Sequence, residues 1–196
     1  GYIIDEMSES IEWPEFKFIP LNVEEGYSPN YIANYNRKIL KLKKDEPVRD
    51  ICSLLESNGI IIYEISAMDK FDGISFFTDK GFPVIVINKS FSNDRKRFTI
   101  AHELGHFVLH KDIPLFIDKN QKVLYRNSDS SKGELLKEKE ANAFAASLLM
   151  PSYLIEQEIE KIPEGFDPIK YLSNIFDVSI QAMGYRLNNL GYDYLG

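Results

Sequence analysis

Apolar and polar positions change period several times along this chain of 196 residues, and each change marks an element. In Tyr31–Lys44 the apolar positions Ile32, Tyr35, Ile39 and Leu42 recur at the spacing of one helical face. The basic end of that segment, Lys41, Lys43 and Lys44, suits the negative pole of a helix dipole. After Pro47, Val48–Asn58 predicts a second helix, stopped by Asn58-Gly59. Three β-rich runs follow, Ile60–Ile65, Ile74–Thr78 and Val84–Asn88, with turn residues Asp79-Lys80-Gly81 between the last two. The period then returns to helical in Arg95–His110, entered through the N-cap candidates Ser92-Asn93-Asp94. Further helices are expected over Glu134–Met150, closed by Pro151, and over Tyr153–Lys161. Ile169–Asn189 reads as helix, turn at Phe176-Asp177-Val178-Ser179, helix. Residues 1–30 carry Pro14, Pro20 and Pro29 and predict an extended lead-in, while residues 117–133 read as a polar, turn-rich loop. Helices flanking a small mixed or antiparallel sheet make an α+β fold.

Composition narrows the function classes. A net charge of −7 argues against a protein whose main partner is nucleic acid. Cys52 is the only cysteine, so no intrachain disulfide can form, as in a reducing compartment. Within Ile51-Cys52-Ser53-Leu54-Leu55 it is expected to act as a buried small hydrophobe. No apolar run reaches the ~18 residues of a membrane span, and Gly1 to Trp13 is acidic and polar, unlike a secretory signal. A cytoplasmic location follows as the expectation. Gly1 in place of Met suggests a start trimmed from a longer chain.

The chemistry lies in His102-Glu103-Leu104-Gly105-His106, an H-E-x-x-H motif. On a helix, residues four apart share a face, so two imidazoles there can converge on one divalent ion. Zinc is the metal expected from such ligands, one per chain. Glu103 flanks the ion without ligating it, placed to act as the base that activates water. The small residues Ala101 and Gly105 allow another element to come close. The bland alternative is an amphipathic helix with two surface histidines.

A catalytic zinc takes three protein ligands and keeps one position open. His110 lies about 12 Å along the axis from His102 on a continuous helix, too far to share an ion. It is expected instead as a polar group near the helix end. The helix 134–150 offers Glu138, on the face of Ala141, Asn142, Ala145 and Leu149, or Glu140, on the side of Phe144 and Ser147. A carboxylate on the small, apolar face needs a cation, which favours Glu138. A solvated acidic face paired with Lys137 and Lys139 stands as the alternative. Asn142, one turn after Glu138, is placed to orient a histidine from behind.

Arg97-Phe98-Thr99-Ile100-Ala101-His102-Glu103-Leu104-Gly105-His106 with Leu109-His110 resembles the signature of the ImmA/IrrE metallopeptidases. So does Glu138-x-x-Ala141-Asn142-x-Phe144-Ala145-Ala146-x-Leu148-Leu149-Met150-Pro151, and Val84–Asn88, Val178-Ser179 and Arg186-Leu187 also fit. The likeness covers roughly residues 45–190. It implies a zincin-like, gluzincin-type fold with His102, His106 and Glu138 holding zinc and Glu103 as base. The division expected from pattern and resemblance together is an extended or helical lead-in over residues 1–46, a zincin-like metallopeptidase domain over 47–165, and a C-terminal helix-turn-helix-like element over 166–196 packed on it.

The resemblance further implies an endopeptidase whose substrate is a helix-turn-helix repressor of a phage, mobile element or stress regulon. Many members carry an N-terminal helix-turn-helix domain; residues 1–46 are too short and Pro-rich for one. The alternative function is a non-catalytic, metal-binding antirepressor acting by protein binding alone. Direct DNA binding by the C-terminal helices is disfavoured, since they offer only Lys170 and Arg186 beside Asp167 and Asp177. A peptide substrate is expected to lie along the sheet edge beside Val84–Asn88, with Tyr125 and His110 as candidates to steady the oxyanion.

Overall fold

A computed structural model of the chain describes residue 15 and residues 26–66, 71–110 and 132–194. Most of the lead-in expected over residues 1–30, most of the loop expected over 117–133, and Tyr125 lie outside the described residues.

Helix α1 (Pro29–Ile39) starts where Ser28 accepts a hydrogen bond from the Tyr31 amide at 3.2 Å, with Pro29 preset for the first turn. It ends short of the expected Lys44. Lys41 adopts a left-handed φ of 55°, so the last-turn cations are Arg37 and Lys38, and Lys43 and Lys44 lie beyond the helix. Helix α2 (Ile51–Glu56) is capped by Asp50, which accepts from the Ser53 amide at 3.0 Å. Cys52 is half-buried against the core rather than fully inside it.

Strands β1 (Ile61–Ile65), β2 (Gly73–Phe77) and β3 (Pro83–Asn88) form one mixed sheet in the order β1-β3-β2. β1 runs parallel to β3, with Ile61 opposite Val84. β2 runs antiparallel to β3, with Gly73 opposite Ile87. The β-branched run of β3 is therefore central, and Val84, Ile85 and Ile87 are fully buried. This corrects the expectation that Val84–Asn88 offers an edge to a peptide: both of its sides are paired, and among the described strands β2 is the outer one near the motif helix.

Helix α3 (Asn93–Leu109) crosses β2 and β3 and carries the H-E-x-x-H motif. Its approach to β2 needs a glycine. A Cβ at Gly73 would sit 2.5 Å from Thr99 Cγ2 and 3.4 Å from Glu103 Cγ. Helix α4 (Lys132–Leu149) packs on α3 through Gly105, where a Cβ would come 3.1 Å from Phe144 Cδ1 and 3.2 Å from Ala141 Cα.

On its other flank α4 meets α1. Arg37 Nη1 donates to the Leu148 carbonyl at 2.8 Å, and Ser147 bonds Asn30. The second half of α4 is thus enclosed on several sides: Ala141, Phe144, Ala145, Leu148 and Leu149 are all inaccessible to solvent. Burying one such apolar side chain contributes about 1.5–3 kcal/mol.

After Pro151 come α5 (Ser152–Ile159), α6 (Pro168–Phe176) and α7 (Ile180–Asn189). Asp167 and Ser179 cap the last two through backbone amides. Asp177 makes the turn between them with a φ of 53°. Arg97 of α3 ties these parts together, donating to the backbone carbonyls of Val48, Arg49 and Asp177. Among the described residues no helix is long and apolar enough to cross a membrane.

Candidate metal centre

The helical period of α3 stacks His102 and His106 one turn apart, and their Nε2 atoms lie 3.0 Å from each other. The Gly105–Ala141 contact brings α4 close enough for Glu138 to reach both. Its Oε2 is 3.2 Å from His102 Nε2, and its Oε1 is 3.2 Å from His106 Nε2. His102, His106 and Glu138 are the group of metal-capable side chains found among the described residues.

The outer ring nitrogens set the state of the inner ones. His102 Nδ1 lies 2.8 Å from Asn142 Oδ1, an acceptor, so Nδ1 carries the proton and Nε2 keeps its lone pair. His106 Nδ1 lies 2.9 Å from His110 Nδ1, and His110 Nε2 lies 3.1 Å from Glu140 Oε2. A carboxylate accepts, so His110 donates from Nε2 and accepts at Nδ1. His106 then donates from Nδ1 and also keeps its lone pair at Nε2. Burial pushes the His110 imidazole below its usual pKa against the opposing pull of Glu140, which favours the neutral ring this chain requires.

Two imidazole lone pairs and a carboxylate thus converge, all of them electron donors. Three atoms bonded at about 2.0–2.1 Å to one tetrahedral ion lie about 3.3 Å apart. The 3.0 Å between the two nitrogens, with one Glu138 oxygen 3.2 Å from each, is compatible with a single small divalent cation. Nitrogen and oxygen ligands of this kind suit zinc.

Glu103 points from the same turn of α3 toward the sheet and is 3% exposed. Ser75 of β2 donates its hydroxyl to Glu103 Oε2 at 2.8 Å, giving the buried carboxylate a defined orientation.

The structure therefore gathers His102, His106 and Glu138 at one point, sets Asn142 behind His102, and holds Glu103 beside them. It places Glu140 on His110 instead, at the C-cap of α3. Helical position set Glu140 on the side of Phe144 and Ser147. That side is buried too, and it meets the end of α3. Ser75, Gly73 and the His110–Glu140 pair escaped the sequence reading. Ser75 lies 28 positions from Glu103 and His110 lies 30 from Glu140, and no local period reports such contacts.

Residues 56–188 match the IrrE N-terminal-like domain of the peptidase M78 family. The chain is 31% identical over 141 residues to the radiation response metalloprotease IrrE of Deinococcus deserti, covering 72% of this chain and 47% of the relative. It is 33% identical over 107 residues to the protein of the same name from Deinococcus radiodurans, covering 53% and 30%. It is 30% identical over 176 residues to the metallopeptidase ImmA of Bacillus subtilis, covering 84% and 89%. The chain thus spans about half the length of one Deinococcus relative and under a third of the other, but most of the Bacillus one.

Proposed function

Because the chain belongs to the peptidase family of the IrrE N-terminal-like domain, we propose that it is a zinc-dependent endopeptidase cleaving a helix-turn-helix transcriptional repressor, thereby releasing the genes that repressor silences. The observation that carries the peptidase reading is the convergence of His102 Nε2, His106 Nε2 and the Glu138 carboxylate beside a buried, oriented Glu103. Repressor cleavage rests on the resemblance of the two motifs.

In this reading His102, His106 and Glu138 hold the ion, one per chain, and Asn142 keeps His102 in its metal-binding tautomer. A bound zinc would supply the Lewis acidity that makes water nucleophilic and polarises the scissile carbonyl. Glu103 takes the proton of the attacking water on its carboxylate and returns it to the leaving amine. Ser75 keeps that carboxylate facing the reaction, because its hydroxyl occupies Oε2. The peptide runs beside β2, the outer of the described strands on the side of α3, by strand addition to the sheet. The catalytic unit spans residues 47–165, the lead-in 1–46 precedes it, and the helix-turn-helix-like pair within 166–196 packs on it without contacting DNA. A repressor substrate sets the work in the cytoplasm, where a lone cysteine is compatible with the reducing conditions.

The test is an incubation of the purified chain with repressors encoded beside its gene, with zinc, with chelator, and with Glu103→Gln. Zinc-dependent cutting that Glu103→Gln abolishes while retaining the metal is the expected result. Derepression that persists with Glu103→Gln and without cutting would instead establish the non-catalytic antirepressor.

A further inference from the structure

Among the described residues three arginines are buried, and two of them are well supplied with acceptors. Arg37 donates to Leu148, Glu46 and Lys43 carbonyls and to the Tyr153 hydroxyl. Arg97 donates to three carbonyls and lies 3.3 Å from Asp177 Oδ2. Arg186, on α7, is 6% exposed, yet among the described residues it makes one hydrogen bond, from Nε to the Met150 carbonyl at 2.9 Å. No carboxylate among the described residues pairs with it, and burial pushes the guanidinium below its usual pKa. A guanidinium has five donors and stays charged, and the donors of Arg186 beyond Nε are not sealed in the interior, so they are open to an anion.

Arg186 lines a groove of about 800 Å³ between α3, α4 and α7. One wall is a stripe on α4: Asn142, Ala143, Ala146 and then Met150 just past the helix. That stripe begins at the residue bonded to His102 and ends at the carbonyl bonded to Arg186. Lys139 adds a second cation. Of the two acids in the lining, Asp72 is matched by Arg95 at 2.8 Å, which leaves Asp94.

We propose that this groove is a substrate subsite in which Arg186 binds a carboxylate of the peptide, about four or five residues from the scissile bond. The spacing follows from α4: Met150 lies about 12 to 18 Å along the axis from Asn142 and Glu138. Extended chain covers about 3.3–3.6 Å per residue. The carboxylate comes from an Asp or Glu side chain or from a C-terminus. The assignment to substrate rests on the peptidase reading; the anion site itself does not.

Two measurements separate them. In the first, calorimetry on the full chain carrying Glu103→Gln compares acetyl-Leu-Ala-Ala-Leu-Glu-Ala-amide with its Gln counterpart. It also compares acetyl-Leu-Ala-Ala-Leu-Ala as free acid with its amide. At least one carboxylate form should bind tenfold or more tighter than its neutral partner, and which one identifies the source. The preference should survive chelation. It should collapse in Arg186→Lys, which keeps a donor for Met150, and in Ala146→Phe, which narrows the groove while leaving the guanidinium in place. Equal binding of every acid and neutral pair, or competition by inorganic phosphate alone as strong as by peptide, overturns the proposal.

In the second, the zinc-loaded wild type digests a proteome-derived peptide library. Cuts should show acid enrichment four or five residues from the bond, lost in Arg186→Lys. Cutting without that enrichment refutes the subsite and leaves the peptidase standing. An absence of any cutting refutes the peptidase reading and with it the subsite, while the first measurement still decides whether Arg186 holds an anion.

Discussion

A histidine ligand is only as good as the group behind it. His106 is backed by His110 and through it by Glu140, at 2.9 and 3.1 Å, so its tautomer depends on two residues that cannot themselves reach the ion. Outer partners of this kind typically account for 10–100-fold in metal affinity. Glu140→Gln and His110→Ala are each expected to weaken zinc by that factor in competition with a coloured chelator, whereas Glu138→Ala should weaken it by more. An unchanged affinity in both outer variants would reduce the chain to packing. Ser75→Ala separates the base from the ligands: kcat should fall while zinc affinity stays at the wild-type value, because Ser75 touches Glu103 and no ligand. The period of α3 made the meeting of His102 and His106 legible, and the cost of a carboxylate on an apolar face pointed to Glu138. Ser75 was not legible, since one serine in a β-run carries no sign of the helix that will cross it.

At the scale of elements, the centre exists because two helices and a strand approach unusually closely. Gly105 permits α3 to lie on α4, and Gly73 permits β2 to lie on α3. Overpacking a tight contact costs about 1–3 kcal/mol for small additions. Gly105→Ala should therefore lower stability by about that much in urea unfolding. Gly105→Val should also push Glu138 away from the histidines and raise the zinc dissociation constant at least tenfold. A valine variant that binds zinc normally would show that the helix spacing is not what sets the site. The helices were readable from their period and from breakers such as Pro47, Asn58-Gly59 and Pro151, whereas the caps Ser28, Asp50, Asp167 and Ser179 emerged only from the structure, and the expected cap Ser92 makes no side-chain bond. The sheet order was not. The run of β3 has the same β-branched look whether it is central or at an edge, and only pairing on both sides settles it. The early end of α1 was likewise hidden, because Lys41 extends the helical pattern while its backbone turns left-handed.

For the whole molecule, an ion held by His102, His106 and Glu138 would act as a clasp between parts far apart in sequence. The residues that would hold it lie on α3 and α4, α4 is locked to α1 through Arg37, and α3 is locked to the segment before α2 and the α6–α7 turn through Arg97. Any species that binds the folded state alone stabilises it by mass action, about 4.1 kcal/mol at a free concentration 1,000 times its dissociation constant. For a chain of this size 1 kcal/mol moves Tm by about 2–4 °C, so chelation should lower it by about 8–16 °C. The ligand variants provide the control. Glu138→Ala in zinc should melt near the chelated wild type and respond little to further chelation, whereas Glu103→Gln should keep the full shift because it removes no ligand. A wild type shown by metal analysis to hold one zinc, yet melting at the same temperature after chelation, would mean that the ion does not join the two helices. Glu138 would then have to be replaced as the third ligand.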